Sequence, residues 1–380
     1  MAYIGNQITT TFPSSVTVDK INDVTYVANP PSGQLNGRRN IVINGAMMVS
    51  QRGTSATGVG GSSGYHTIDR MNIASGTTAG RATMSQSTDV PTGFANSLKL
   101  DCTTADTSVA ADESFIIEYK IEGRDVQQLK KGTSDAEKVT LSFYVKGNAS
   151  ATYTAELLDN DNTRYNSQEF SVTTSWTRVT LTYDGDTTGT LGNDSNYSLG
   201  ILFWLHAGST FTGGTHTDNS WHTTNNQRVG DNQTSFFDST DREFFITGIQ
   251  LEVGSVATPF EHSTLSEQRL LCQRYYTNLN SMLQNNWGQA YSITVAKVHL
   301  DFPVQMRAAP TMTYNSPFTN LIEENGVAVR TASALASNYT SNTGNIVSVT
   351  VSGQNYAVNA GVFIRNTEGE PKRIEASAEL

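Results

Sequence analysis

Lys138-Val139-Thr140-Leu141-Ser142-Phe143-Tyr144-Val145-Lys146 decides the reading of this chain. Val139, Leu141, Phe143 and Val145 point one way, and Thr140, Ser142, Tyr144 and Lys146 the other. Strict period two over that length marks a half-buried antiparallel strand. The same pattern returns at Phe115 to Ile121, Val179 to Tyr183 and Phe245 to Val253. Leu199 to His206 is apolar on both faces, with Leu199, Ile201, Phe203 and Leu205 opposite Leu202 and Trp204, so it is expected to be a central strand. Turn signals punctuate the series at Asp159-Asn160-Asp161-Asn162, Asp184-Gly185-Asp186 and Gly192-Asn193-Asp194. Many strands and few helices mean an all-β chain. Residues 41–262 are read as a jelly-roll-like β-sandwich.

Composition agrees. The 380 residues include 15 Phe, 15 Tyr, 4 Trp and 31 Gly, only 9 Pro, and 16% charged residues. Bulky rings supply core material, and the polar remainder is rich in Thr, Ser and Asn, which suits strands and turns more than helical bundles. A net charge of −10 without a basic block argues against nucleic acid. No run of about 18 apolar residues exists, so no membrane insertion is expected, and Met1 to Lys20 lacks the form of a secretory signal. Two cysteines, Cys102 and Cys272, are too few for a disulfide framework or a cysteine zinc site, and both read as buried free thiols.

Three further zones flank the sandwich. Residues 1–40 are polar and broken by Pro13, Pro30 and Pro31, with β-like pieces at Val16 to Val18 and Val24 to Val27; they are too weakly apolar to fold alone and read as an N-terminal arm. Residues 263–280 read as a short linking helix. Thr264-Leu265-Ser266-Glu267 has capping-box spacing, and Leu271, Tyr275 and Leu279 then share a face, read as core packing. Residues 281–380 return to strands at Ala296 to Phe302, Ile346 to Val351 and Ala360 to Ile364, and the alternation of Ile374, Ala376, Ala378 and Leu380 runs to the last residue. This zone is expected to be a second, smaller C-terminal β-domain with a packed end.

Catalytic signatures are missing: there is no phosphate-cradling glycine loop, nucleophile elbow or His-Glu-x-x-His. The chain is therefore not expected to be an enzyme, and no cofactor or metal is expected. His216 and His222 share a loop, but at no ligand spacing, and the abundant carboxylates read as solvated surface. The Asp159 to Asn162 run opens like a calcium loop, yet Arg164 stands where that loop needs Gly, so a polar hairpin turn is the better reading. The most informative polar stretch is 207–241, a long connection between two confident strands. It carries Phe211, Trp221, His222, Asn225, Phe236 and Phe237. Aromatic faces can stack on the C–H faces of sugar rings while amides bond to hydroxyls, which makes Trp221, His222, Phe211 and Asn225 candidate glycan-binding residues. Contact with a neighbouring subunit, or entry of Phe236 and Phe237 into the core, stays open.

Several strings match a family in order: Arg39 to Met47 with Val49 to Thr54, Tyr65 with Asp69-Arg70-Met71, Lys146-Gly147-Asn148, Ser175 to Arg178, Phe237 to Thr240, Gly248 to Gly254 running through Val256 to Glu261 into Leu271 to Tyr276, then Pro303 to Pro310 and Glu375 to Leu380. This pattern resembles the β-sandwich module and C-terminal companion of bacteriophage tail-fibre proteins, over about 340 residues from 39 onward. The resemblance implies a homotrimeric virion protein of the tail, with a carbohydrate-binding-like sandwich, assembled in the bacterial cytoplasm, where free thiols persist. It implies attachment to a host surface glycan without catalysis, with residues 1–40 held by the tail or an adaptor protein. An adaptor or decorating fibre without a receptor is the alternative. A capsule depolymerase is a further one, although the regular repeats of a parallel β-helix are not visible.

Overall fold

The computed structural model describes residues 20–21, 24–25, 38–279, 286–314, 322–324, 328–330, 332–351, 355–364 and 374–380. Most of the expected arm lies outside the described residues. Within it, β1 (Lys20–Ile21) and β2 (Val24–Thr25) form a two-stranded ladder. The sandwich strands follow in chain order: β3 (Ser55–Val59), β4 (Gly64–Tyr65), β5 (Asn72–Ser75), β6 (Arg81–Ser87), β7 (Ser97–Thr104) and β8 (Ser114–Glu122). Then come β9 (Val139–Gly147), β10 (Ala151–Asp159), β11 (Arg164–Val172), β12 (Thr177–Tyr183), β13 (Tyr197–Ala207) and β14 (Glu243–Val253). They form two six-stranded antiparallel sheets, β12-β9-β14-β7-β6-β3 and β11-β10-β13-β8-β5-β4, facing each other as a jelly-roll-like sandwich.

The alternation explains the packing. Leu141, Phe143 and Val145 of β9 meet Phe170 of β11 and Ile201 and Phe203 of β13 across the gap, all buried. Phe143 makes edge-on contacts with Phe203 at 4.9 Å and Phe170 at 5.1 Å. Each such ring taken out of water contributes about 2 kcal/mol. β13 lies between β10 and β8, as expected of a strand apolar on both faces.

The outer face of β9 differs from expectation. Thr140 and Ser142 are buried, not solvated. The chain after β14 straps over them: Thr140 Oγ1 donates to the Gly254 carbonyl at 2.8 Å, and Arg178 donates to Ser142 Oγ at 3.1 Å and to the Thr258 carbonyl. Buried polar groups are tolerated there because each has a partner.

The linking helix is shorter than residues 263–280. Helix α1 (Ser209–Thr212) is a single turn in the long loop, and α2 covers only Leu265–Gln273. Thr264 caps α2, its hydroxyl accepting from the Glu267 N–H at 3.2 Å, but Glu267 reaches Arg38 at 2.5 Å instead of turning back. The chain leaves the helix at Arg274, and β15 (Tyr276–Asn278) pairs with a late strand. Tertiary contacts outweigh helical periodicity here. The Tyr275 hydroxyl donates to Glu122 at 2.6 Å and its ring lies 3.5 Å from the Arg70 guanidinium, which a further helical turn would break.

The remaining strands are β16 (Trp287–Ala290), β17 (Val295–Asp301), β18 (Thr311–Tyr314), β19 (Ile322–Glu324) and β20 (Ala328–Arg330), then β21 (Ala332–Thr340), β22 (Gly344–Val351), β23 (Gly361–Ile364) and β24 (Ile374–Ser377). They build a three-stranded sheet β15-β24-β18 and a seven-stranded sheet β20-β19-β23-β16-β17-β22-β21. Val298, Leu300, Met306, Val347, Val349 and Ile374 lie in a second core. An ionic seam joins it to the sandwich. Arg70, fully buried, donates to Glu379 at 2.6 Å, and Arg274 grips the buried Glu122 through two bonds of 2.8 Å. Burial alone would raise the Glu122 pKa; the Arg274 and Tyr275 donors overcome it and hold the carboxyl below its ordinary range.

Candidate functional site

The loop after β13 is pinned to the outer face of the second sheet. Arg228 donates twice to the fully buried Glu156, at 3.0 and 2.7 Å. Its guanidinium lies 4.1 Å from the Tyr165 ring, 4.9 Å from Trp204 and 6.0 Å from Phe211. Burial raises the Glu156 pKa, against the opposing pull of Arg228. Phe211 packs on Trp204 at 4.9 Å, and Asn225 joins the same strip, accepting from Arg228 at 3.3 Å and donating to the Thr210 carbonyl at 3.3 Å. His222 bridges Tyr165 through paired backbone hydrogen bonds, its ring 5.8 Å from the tyrosine ring. Its Nε2 is buried without a partner among the described residues, and burial, followed by nearby His216, lowers its pKa.

Of the four loop residues singled out from sequence, the structure brings Phe211, Asn225 and His222 along one strip and leaves Trp221 apart. Successive side chains of an extended segment point to opposite sides. Trp221 accordingly packs on the main core, donates its indole N–H to the Asp184 carbonyl at 2.7 Å and has the Lys131 ammonium 5.1 Å over its ring. Phe236 and Phe237 enter the core against Phe115, at 5.9 and 4.8 Å. The 159–162 run is the β10–β11 hairpin turn. Lys131 pairs with Asp159 and, at 2.9 Å, with Asp186.

Sequence reasoning missed a more exposed constellation on the seven-stranded sheet. Register places Trp287 of β16 opposite His299 of β17, His299 opposite Ile346 of β22, and Ile346 opposite Tyr339 of β21. Four strands thus contribute one cross-strand row. Trp287 is 67% exposed and Tyr339 64%, large fractions for such side chains. Trp287 and His299 stack at 6.2 Å with their planes 29° apart. The next row in register is Gln289, Lys297, Ser348 and Ala336. Exposed Tyr291 lies under the Lys297 ammonium at 4.2 Å. Three strand spacings of about 4.8 Å separate the ends of the aromatic row, so it spans about 14 Å. The only sequence signal was the outward placement of His299 between Val298 and Leu300; nothing in β16 or β21 announced which residues it would meet. A separate cavity of about 570 Å³, lined by polar and apolar side chains alike, opens beside Arg38, between the entering chain and α2.

No family model matches this chain, and no curated protein matches it. Among solved structures it is similar to the family 11 carbohydrate-binding module from Clostridium thermocellum in complex with a β-1,3-1,4-mixed-linked tetrasaccharide: 10% identity and a TM-score of 0.27, over 54% of this chain and 98% of that one. The family 61 module TmCBM61, in complex with β-1,4-galactotriose, aligns at 9% identity and a TM-score of 0.30 over 57% and 99%. The enzymatically active domain of tailspike protein 4 of bacteriophage CBA120 aligns at 11% and 0.28, over 56% of this chain and 21% of that one. Likeness of this order leaves function to be argued from the residues of this chain.

Proposed function

We propose that this chain is a receptor-binding component of a bacteriophage tail fibre that attaches to a host surface glycan without cleaving it. The observation that carries the glycan reading is the row Trp287, His299, Ile346 and Tyr339 on the outer face of the seven-stranded sheet, in which the three rings are exposed and Ile346 between them is half-buried. A flat row of rings suits the C–H faces of an extended sugar chain, and the amide, ammonium and hydroxyl of Gln289, Lys297 and Ser348 beside it suit sugar hydroxyls. The core of a permanent subunit interface is more uniformly apolar than two such rows. Phe211, His222 and Asn225 form a second place for sugar contact, although Phe211 and Asn225 also hold the loop in place. The sequence resemblance supports the tail-fibre assignment, the homotrimer, the virion location and the tail or adaptor as partner of residues 1–40. Three copies on a fibre would convert weak single contacts into firm adsorption.

Adsorption competition tests the reading. Excess purified protein should block phage adsorption and bind polysaccharide extracted from the host, without releasing new reducing ends. Trp287→Ala and Tyr339→Ala should each weaken that binding at least tenfold with Tm unchanged, because neither ring is buried. Phe211→Ala, run in parallel, reports on the loop. Blocking by none of the proteins makes the chain a connector. Loss of oligomer mass by light scattering in Trp287→Ala, with glycan binding intact, makes the row a subunit contact.

A further inference from the structure

Asp106 and Glu113, seven residues apart in the connection between β7 and β8, meet the distant His206 at one end of the sandwich. Asp106 follows β7, Glu113 precedes β8, and His206 sits near the end of β13, where a register shift between Trp204 and His206 interrupts pairing with β8. One ligand-capable atom from each lies within 4.8 Å of the others, and all three residues are buried. His206 Nε2 faces Glu113 Oε2 at 3.2 Å, while Nδ1 lies 2.8 Å from Ser235 Oγ. The edge of the Phe237 ring closes one side at 5.4 Å. Thr78 Oγ1 and the Ala79 N–H donate to Asp106 Oδ2, each at 2.8 Å, and the Ser108 N–H donates to Oδ1 at 3.3 Å.

The charges do not balance. Two carboxylates are buried together, and among the described residues neither forms an ion pair with a lysine or arginine. Even a protonated His206 leaves one negative charge over, and charge removed from water needs a partner. A divalent ion held by neutral imidazole and two carboxylates closes that balance.

We propose that Asp106, Glu113 and His206 form a structural site for one divalent transition-metal ion of the zinc class. An imidazole ligand favours such ions over calcium or magnesium, which take oxygen ligands. Two ligands about 2.1 Å from one tetrahedral ion stand about 3.4 Å apart; His206 Nε2 and Glu113 Oε2, at 3.2 Å, already meet that spacing, and the Asp106 carboxylate, within 4.8 Å, need move inward by at most about 1.4 Å. Ser235 orients the ring so that Nε2 faces the carboxylates, the role that outer partners of metal-bound histidines serve. The ion would tie the connection between β7 and β8 to β13 and, through Ser235, to the 235–237 segment.

The test titrates the full-length chelator-treated protein with ZnCl2, MnCl2 and CaCl2 by calorimetry, with metal content and Tm read in parallel. Expected are one equivalent of Zn²⁺ per chain, a Tm that rises on loading, and no calcium uptake at this site. Glu113→Gln and His206→Gln should each weaken Zn²⁺ binding at least tenfold, while His216→Ala leaves it unchanged. No uptake of Zn²⁺ or Mn²⁺ by the wild-type protein overturns the proposal, and that measurement needs no variant to fold. So does uptake that survives both substitutions, or that only His216→Ala removes.

Discussion

Glu379→Gln should destabilise a sandwich whose strands lie far away in sequence. The Arg70 side chain is 1% exposed and that of Glu379 7%; their ion pair measures 2.6 Å across 309 residues of chain. Arg70 also donates to the Lys120 carbonyl and has its guanidinium 3.5 Å from the Tyr275 ring. Nearby Glu379 and tyrosines hold Arg70 protonated despite its burial, so the cation cannot escape by neutralising. Removing the charged partner of a buried ion typically costs about 3–5 kcal/mol. The amide oxygen of Gln can still accept one hydrogen bond, returning about 1 kcal/mol. The expected net loss is therefore about 3 kcal/mol, or roughly 6–12 °C in Tm for a cooperative unit of this size. Urea unfolding followed by tryptophan fluorescence suits the question, because Trp176, Trp204 and Trp221 all belong to the sandwich. Glu137→Gln, which breaks the exposed pair between Lys130 and Glu137, should leave Tm unchanged and serves as the control. A loss under about 1 kcal/mol in Glu379→Gln would mean that water relieves Arg70, and the seam would no longer count as a structural joint.

Two further outcomes follow from burial. Asp69 is fully buried, and burial raises its pKa from 3.8 to about 6 against the hydrogen bonds from Gln51. The folded state thus holds a proton that the unfolded chain releases near pH 4, so stability falls as pH rises from about 4 to about 6 and is flat above. Asp69→Asn should remove about 3 kcal/mol of that fall, read as the difference between wild-type and variant urea curves at pH 4, 5, 6 and 7. An identical pH profile in the variant would reject the raised pKa. Burial also pushes the Cys102 thiol up to about 11 and Cys272 well above its ordinary value. A thiol reagent at pH 8 should therefore modify neither cysteine in the native protein and both in urea; rapid native labelling would reveal opening of the core.

The sandwich was legible wherever one face is uniformly apolar. Val139, Leu141, Phe143 and Val145 announce β9, and Leu199 to Leu205 announce a central β13, because burial imposes period two or a continuous apolar run. β11 was not legible. Its sequence, Arg164 to Val172, buries Asn166 and Ser167 alongside Tyr165, and polar residues buried with partners look like loop in a sequence. β21, made of Ala, Ser, Leu, Asn, Tyr and Thr, is mostly exposed and carries two register shifts, so no alternation survives in it. The helix was legible at its start, where Thr264 caps it, and not at its end, where Tyr275 and Tyr276 answer to Arg70, Glu122 and β24.

Binding groups are harder to read than strands for a related reason. Alternation places His299 outward on β17, but only the pairing of β16 with β17, of β17 with β22 and of β22 with β21 sets it between Trp287 and Ile346, with Tyr339 beyond. Had any of those registers slipped by one residue, the rings would fall on opposite faces and no row would exist. The same logic separates Trp221 from His222. They are adjacent in sequence and look like one pair, yet the backbone bridge from His222 to Tyr165 makes that segment extended and sends one ring into the core and the other along the outer strip. Asp106, Glu113 and His206 converge only because β8 and β13 are antiparallel neighbours, so that β8 begins where β13 ends. In each case the chemistry resides in strand pairing, a long-range choice made by the whole core, while a local window shows only which way each side chain faces.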